Sequence, residues 1–251
     1  MTFAGLLREV ARPLRRLFPE HCAGCGAVIH ADCASSFLCA GCAAKVEFPP
    51  RNICCVCGEP LDFDYEIDTG DSYRCGSCVL SPPVYEELRY GMMYSGPVRE
   101  AIHLFKFSAR PHLWRGLASL ADEKLAPWIF QLAGASIIPV PLAARKLFGR
   151  GYNPAYLLAN HFARQTGLIM ADGAIRRVRA TLPQFGLNKN ERAENVKGAF
   201  AVYDREAIEG KDIIIFDDIF TTGATIAECA KTIAKAKPNS IRAAALCRVR
   251  K

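Results

Sequence analysis

The 251-residue sequence lacks any apolar run approaching the roughly 20 residues that a membrane span requires. Its amino terminus also lacks the apolar core of a secretory signal peptide. Cysteine is scarce after residue 78, where only Cys229 and Cys247 occur. No matched acid or nucleophile is near His103, His112 or His161, so we interpret these histidines as structural or solvated. We therefore expect a cytoplasmic protein with no Cys–His or Ser–His–Asp catalytic set.

The composition is otherwise that of a globular protein. Apolar residues make up 51% of the chain, which is enough for the core of one large domain or two modest ones. The formal net charge of +7 suits an anionic partner. Because a site for a phosphorylated ligand also collects Lys and Arg, the charge alone does not indicate nucleic acid.

Ten of the twelve cysteines lie before residue 79, and eight of them form four Cys-x-x-Cys pairs. Two such pairs can supply four thiolates to one tetrahedral metal, and Zn²⁺ is the expected ion. Disulfides are the alternative, but a cytoplasmic location argues against them. The predicted structural ligands are Cys22, Cys25, Cys39 and Cys42 in one set, and Cys54, Cys57, Cys75 and Cys78 in the other.

The ligand sets remain open in several respects. Cys33 and Cys55 are surplus, and His21 and His30 are near enough in sequence to replace a cysteine. We assign Cys54 because it has the two-residue spacing to its partner cysteine. The pairs could also combine in a crossed manner, so the sequence is compatible with one or two zinc ions.

The cysteines divide the chain into three parts. Residues 1–19 predict a short basic amphipathic helix, which packs on the rest of the protein or docks on a membrane or partner. Residues 20–83 are expected to form a cysteine-rich metal-binding head with little core of its own. Residues 84–251 predict an α/β body, and the basic tail of Arg248, Arg250 and Lys251 is expected to be solvated.

The segment from Ile213 to Thr225 predicts a phosphate site. Ile213 to Phe216 has the composition of a buried parallel strand, and Asp217 and Asp218 follow at its end. Small residues then let backbone N–H groups approach an anion, and a helix is expected over Ile226–Ala236 with its amino end at the same place. The predicted cradle consists of Thr221, Thr222, Gly223, Ala224 and Thr225.

A sugar phosphate would satisfy both parts of this segment. Its phosphate would occupy the cradle, while ribose hydroxyls donate hydrogen bonds to Asp217 and Asp218 and share Mg²⁺ with a pyrophosphate. An acidic turn that caps a helix is the alternative interpretation. The segment resembles the 5-phosphoribosyl-1-pyrophosphate (PRPP) loop of the type I phosphoribosyltransferases.

Basic and polar segments elsewhere in the body could complete such a site. Arg145, Lys146 and Arg150 follow a predicted strand that ends at Pro141, so they could contact pyrophosphate or form a solvated basic turn. A helix is expected over 96–107, in which Lys106 could reach a phosphate, although we interpret it as an exposed lysine. The polar stretch 179–195 is either disordered or a lid, and its candidate residues are Thr181, Gln184, Arg192 and Asn195.

Taken together, these motifs resemble the ComF family nearly end to end. The resemblance is carried by the paired cysteine knuckles, by Ile138–Pro141 leading into Arg150–Asn153, by 184–192 with 195–200, and by Asp217–Thr225. It implies a type I phosphoribosyltransferase fold, a twisted and mainly parallel sheet flanked by helices, over 84–251 behind a double zinc ribbon. It also implies a PRPP loop at Asp217–Thr225 and a pyrophosphate loop after Pro141.

The resemblance further implies a role in DNA uptake during natural competence. Two functions follow as hypotheses: a PRPP-binding phosphoribosyltransferase, or a zinc-containing factor that binds single-stranded DNA and other competence proteins and has a sensory or non-catalytic PRPP site. In the second hypothesis the zinc knuckles and head-domain arginines form the DNA surface. The sequence identifies no acceptor for a transferred ribose phosphate.

Overall fold

The computed structural model describes residues 20–29, 37–61, 73–108, 110–181 and 188–250. The predicted helix over 1–19, and the residues His30, Cys33, Gln184 and Lys251, lie outside these ranges. Among the described helices, none is both long and apolar enough to cross a membrane.

The body is built on a five-stranded parallel sheet, as expected from the sequence. The strand order is β1-β7-β6-β2-β3. Apolar side chains fill the central strands because both faces of a parallel sheet are covered. The sheet comprises β1 (Leu88–Met93), β2 (Ser136–Pro139), β3 (Ile169–Met170), β6 (Asp212–Phe220) and β7 (Ser240–Arg248).

Helices cover both faces of this sheet. One face carries α3 (Gly96–Phe107), α4 (Leu113–Phe130) and α6 (Pro154–Thr166). The other carries α8 (Ala224–Ala234), together with a small antiparallel pair of strands. That pair is formed by β4 (Ile175–Arg177) and β5 (Phe200–Val202).

The cysteine-rich segments pack against the edge of the sheet formed by β1. Cys22 and Cys42 of the first set are buried in the core on the α3–α4 face. Cys54, Cys57 and Cys78 of the second set are buried in the core on the α8 face. Two short helices belong to these segments, α1 (Ala40–Ala43) and α2 (Gly76–Leu80). Each set therefore shares a hydrophobic core with the body.

Several local expectations differ from the structure. Strand β6 does not stop before the two acids but continues through them to Phe220, because it pairs with β7 as far as Arg248. The segment after Pro141 is not only a loop, since α5 spans Ala144–Arg150. The end of the polar stretch forms α7 (Lys189–Val196), which begins with a reciprocal Asn188–Glu191 capping box.

Two further side chains are placed differently from their sequence interpretation. Arg248 is fully buried rather than solvated. His161 does have an acidic partner, because Asp122 Oδ1 lies 2.7 Å from His161 Nε2 across the α4–α6 contact. Asp122 is 39 residues from His161 along the chain, and Arg248 donates to the carbonyl of Cys57, 191 residues away. Such long-range partners cannot be predicted from neighbouring residues in the sequence.

Candidate functional site: an acidic cleft and two four-sulfur clusters

The two acids lie near the carboxyl end of the central strand β6. Parallel pairing places this end beside the ends of β2 and β7. The backbone N–H of Asp218 donates to Asp217 Oδ1 at 2.8 Å. Both acids line a cleft of about 200 Å³, together with Thr221, Gly223, Ala224 and Thr225 of the predicted cradle. The structure thus brings the acids and the cradle together around one cavity.

Gly223 shapes the turn that leads into α8. Its φ is +80°, a left-handed conformation that glycine adopts without strain. A Cβ atom here would lie 2.5 Å from Phe220 Cζ, so the ring packs directly under the turn. Among the described residues, no side chain caps the amino end of α8. Its first N–H groups and the positive end of the helix dipole therefore favour an anion in the cleft.

Thr222 adds a further polar group beside this turn. Its Oγ1 is buried and has no hydrogen-bond partner among the described residues. A buried hydroxyl without a partner costs free energy unless a water or ligand satisfies it. Thr222 is not among the residues that line the cleft.

Lys106 joins the site from the last turn of α3. Its Nζ donates to Asp218 Oδ1 at 2.8 Å, and it lines the same cleft. The expectation of an exposed lysine is therefore wrong. A lysine in the last turn of a helix is a weak signal, and its partner is 112 residues away along the chain. The lysine places a positive charge beside two carboxylates.

Burial and the neighbouring charge of Asp218 raise the pKa of Asp217 to about 8. Lys106 and Arg177 oppose this increase because their positive charges stabilise the carboxylate. A bound cation, or hydroxyl groups that donate to the carboxylates, would favour the charged forms and so lower this pKa. Such a pair is suited to binding Mg²⁺ or ribose hydroxyls.

The predicted pyrophosphate residues lie on α5, close to this cleft. Burial lowers the pKa of Lys146, and the nearby cations Arg177, Arg150 and Lys106 lower it further, while Asp218 raises it. Arg145 is exposed, and Arg150 places its guanidinium 5.4 Å from the ring centre of Phe107. Several cations thus converge near the acid pair, and a polyanionic ligand would relieve their mutual repulsion.

The turn between α5 and α6 holds these cations against α3. Gly151 adopts the left-handed conformation that ends α5. Tyr152 donates its hydroxyl to the carbonyl of Phe105, next to Lys106. Asn153 caps α6 through the N–H of Ala155 at 3.1 Å and donates to the carbonyl of Val140 at 3.0 Å. In the sequence, Arg150–Asn153 indicated only the family resemblance.

Arg177 of β4 interacts electrostatically with Asp217, which the sequence did not predict. Burial lowers its pKa, while Asp217 and Cys229 act in the opposite direction. Its Nη2 donates to Thr181 Oγ1, and its guanidinium lies 5.5 Å from the ring centre of Phe200. An arginine in a strand of three residues gave no sequence signal for this placement.

The candidate lid residues fall in two places. Thr181 accepts a hydrogen bond from Arg177, and the charge of Asp217 in turn acts on the pKa of Arg177. Arg192 and Asn195 belong to α7, which packs against α8. The carbonyls of Asn195 and Lys197 accept hydrogen bonds from Arg179. The carboxyl-terminal part of the polar stretch is therefore fixed by the capped helix α7 and by the hydrogen bonds of Arg179.

The eight predicted metal ligands form two separate four-sulfur clusters. In each cluster the Sγ atoms all lie within 4.8 Å of one another. The Cys25–Cys39 separation is 3.8 Å and the Cys57–Cys75 separation is 3.6 Å. A Zn–S bond of about 2.3 Å gives a tetrahedral edge of about 3.8 Å, so the sulfurs fit Zn²⁺. The pairs combine within each set and are not crossed.

Backbone donors surround one sulfur of each cluster. Cys22 Sγ accepts from the N–H groups of Gly24 at 3.4 Å and Cys39 at 3.3 Å. Cys54 Sγ accepts from the N–H of Cys75 at 3.2 Å. Although burial opposes ionisation, such donors lower the pKa of Cys22 to about 6 and that of Cys54 to about 7. Thiolates are therefore favoured at Cys22 and Cys54, whereas burial and the neighbouring sulfurs raise the pKa values of Cys42, Cys57 and Cys78.

The surplus residues do not belong to these clusters as far as the structure describes them. Neither cluster includes Cys55 or His21. Because each zinc ion would be fully coordinated by protein sulfur, both sites are structural rather than catalytic. The chain therefore carries two structural zinc sites.

Two family models match separate parts of the chain. The model of the double zinc ribbon domain matches residues 13–79. The model of the phosphoribosyl transferase domain matches residues 155–251, which include the acids and the cradle.

Curated relatives align with most of the chain. A protein named DNA utilization protein YhgH from Salmonella typhi is 30% identical over 219 residues, covering 84% of this chain and 90% of its own. Competence protein F from Haemophilus influenzae is 29% identical, covering 88% and 94%. Competence protein ComFC from Bacillus subtilis is 22% identical, covering 75% and 74%. The chain therefore belongs to the ComF family, with a double zinc ribbon ahead of a phosphoribosyltransferase-type domain.

Proposed function

We propose that the cleft between β6 and α8 binds PRPP with Mg²⁺ and that the protein serves DNA utilisation in natural competence. The observation that carries the ligand assignment is that Asp217 and Asp218 line one cleft together with four of the five cradle residues, Thr221, Gly223, Ala224 and Thr225. The competence role is supported by the printed names of the relatives, which refer to competence and DNA utilization.

Each part of PRPP has a complementary group in the proposed complex. The 5-phosphate accepts hydrogen bonds from the cradle and the amino end of α8. The ribose hydroxyls donate to Asp217 and Asp218, and the pyrophosphate lies toward Lys106, Lys146, Arg145 and Arg150. Mg²⁺, held near Asp217 and Asp218, would neutralise negative charge on the leaving pyrophosphate.

This arrangement also supports transfer of the ribose phosphate. The bond between C1 and the pyrophosphate oxygen breaks as an acceptor nucleophile forms a bond to C1. The basic residues stabilise the departing pyrophosphate, so no protein nucleophile is needed. Measuring pyrophosphate release from PRPP with a panel of bases and amines would identify the acceptor.

A thermal-shift panel tests the ligand class. A ligand present at 100 times its Kd stabilises a protein by about 2.7 kcal/mol. PRPP with Mg²⁺ should raise Tm more than ribose 5-phosphate or pyrophosphate alone, and ATP with Mg²⁺ serves as the polyanion control. An equal response to ATP, or none to PRPP, would contradict the proposal.

Single-stranded DNA is a second candidate ligand, favoured by a different surface. Phe107 and Phe148 are 68% and 95% exposed beside the basic residues of α3 and α5. Exposed aromatic rings next to cations are suited to stacking bases and holding phosphates. This candidate DNA surface lies on the α/β body, whereas the sequence predicted a DNA surface on the cysteine-rich head.

Fluorescence anisotropy with a single-stranded oligonucleotide tests this candidate. Phe148→Ala should weaken binding, whereas Phe130→Ala, which removes an aromatic ring 53% exposed on α4, should not. Binding should also fall steeply with salt because counterions are released from phosphates. Equal affinity of the two variants would remove the α5 surface from consideration.

A further inference from the structure

Arg248 connects the second zinc ribbon to the proposed phosphate cradle. It lies near the end of β7, is fully buried, and pairs in register with Phe220 of β6. Its Nη1 donates to the carbonyl of Cys57 at 2.6 Å, and its Nη2 pairs with the carboxylate of Glu59. Cys57 is a zinc ligand and Glu59 follows it in the same knuckle. The guanidinium is thus held by the ribbon.

The same guanidinium packs on the ring of Phe220, which lies next to the turn at Gly223. It lies 4.7 Å from the ring centre of Phe220. The other part of that ring contacts Gly223, where an added Cβ would lie 2.5 Å from Cζ. A continuous series of contacts therefore runs from the zinc knuckle through Arg248 and Phe220 to Gly223. Main-chain bonds flank it, from Val249 N–H to the Phe220 carbonyl and from Tyr94 N–H to the Arg248 carbonyl.

We infer that Arg248 is a positioning residue through which the second zinc ribbon fixes the conformation of the 221–225 cradle. A buried guanidinium must keep its acceptors, because a charge without them is costly in the interior. The ribbon supplies both acceptors at a fixed geometry, so the plane of the guanidinium is fixed. That plane sets the tilt of the Phe220 ring and hence the turn at Gly223. The ligand arm of this inference rests on the proposed function.

Hydrogen exchange of the ligand-free protein tests the inference independently of PRPP. In Arg248→Met and Glu59→Gln, amides of 221–225 should exchange at least fivefold faster, while β2 exchanges as in the wild type and both zinc ions are retained. Arg242→Met is the matched control, because Arg242 also lies on β7 and pairs with Glu86 and Glu87 near the other end of the strand. It should leave 221–225 unchanged.

Separate binding measurements with ribose 5-phosphate and with pyrophosphate provide the second readout. Glu59→Gln should weaken ribose 5-phosphate binding several-fold while pyrophosphate binding, assigned to α5, stays unchanged. If Arg248→Met fails to fold, Glu59→Gln and Arg248→Lys carry the test. Unchanged exchange at 221–225, or an equal increase throughout the sheet, would overturn the inference. If exchange changes as expected but no variant or wild-type protein binds either ligand, the positioning role stands and the proposed function fails.

Discussion

Lys106 Nζ lies 2.8 Å from Asp218 Oδ1, which joins the end of α3 to the central strand of the sheet. Both side chains are largely buried, with 16% and 14% exposure. The lysine neutralises part of the acid pair in the ligand-free cleft. In the proposed complex, ribose hydroxyls and Mg²⁺ would engage the acids, and Lys106 would then be free to contact the pyrophosphate.

Replacing Lys106 with Met should weaken PRPP binding about tenfold, which corresponds to about 1.4 kcal/mol. The pKa of Asp217 should also rise further, because Lys106 lowers it. Calorimetric titrations from pH 6.5 to 9 would show the midpoint of Mg²⁺-dependent binding move to higher pH. Lys124→Met is the control, since Lys124 contacts the Phe48 ring away from the cleft. Equal losses in both variants would contradict the role of Lys106.

Asp217→Asn should stabilise the ligand-free protein more at pH 8 than at pH 5. The unfolded pKa of Asp is about 4, whereas burial and Asp218 raise the folded pKa of Asp217 to about 8. Between these values the folded state binds the extra proton, so the contribution of this group to stability falls as pH rises. Since the cost grows by about 1.4 kcal/mol per pH unit between the two pKa values, we expect the gain at pH 8 to exceed the gain at pH 5 by about 3 kcal/mol.

Denaturant unfolding of wild type and Asp217→Asn at the two pH values measures this gain. Asp212→Asn is a suitable control because Asp212 is exposed at the other end of the same strand. A constant difference between Asp217→Asn and wild type across the pH range would show that the carboxyl is not desolvated as described.

Gly223→Ala should disrupt the cradle more than backbone strain alone explains. Gly173 also has a positive φ, of +84°, but a Cβ there would meet nothing within 4 Å. We expect Gly173→Ala to cost about 1 kcal/mol of stability. Gly223→Ala should cost about 2 kcal/mol or more because the Phe220 ring must also move. Unfolding curves and PRPP titrations of both variants measure the difference; equal stability losses with intact binding would be inconsistent with this packing.

Metal analysis of cysteine variants tests the two zinc sites. The wild-type protein should contain two zinc ions per chain, one for each sulfur cluster. Cys54→Ser should lose one ion, while Cys55→Ser should keep both because Cys55 belongs to neither cluster. Mass spectrometry of the purified proteins gives the counts. Retention of both ions in Cys54→Ser, or loss in Cys55→Ser, would refute the ligand sets.

Features encoded within short segments could be predicted from the sequence. The four Cys-x-x-Cys pairs indicated the zinc ribbons, and Asp217 to Thr225 indicated a strand, a turn and a helix in that order. The boundaries were less accurate, because pairing with β7 extends β6 past the acids to Phe220. Local composition does not record how far a neighbouring strand continues.

Contacts between distant segments could not be predicted. Lys106 reaches Asp218, and Arg248 reaches Cys57 across 191 positions. Arg248 in particular has the sequence context of a solvated basic tail, yet sheet pairing carries it into the core. Such placements depend on strand order and on packing of the ribbons against β1, which no short motif specifies.

The most direct test of the central claim is a calorimetric titration of PRPP with Mg²⁺ into the wild-type protein and into the double variant Asp217→Asn, Asp218→Asn. These substitutions keep the shape of both side chains and remove the negative charges. We expect saturable, Mg²⁺-dependent binding of PRPP to the wild type. The affinity of the variant should be at least about 100-fold lower, which corresponds to a loss of about 2.7 kcal/mol of binding free energy. Equal affinity in the two proteins, or no binding to either, would contradict the central claim.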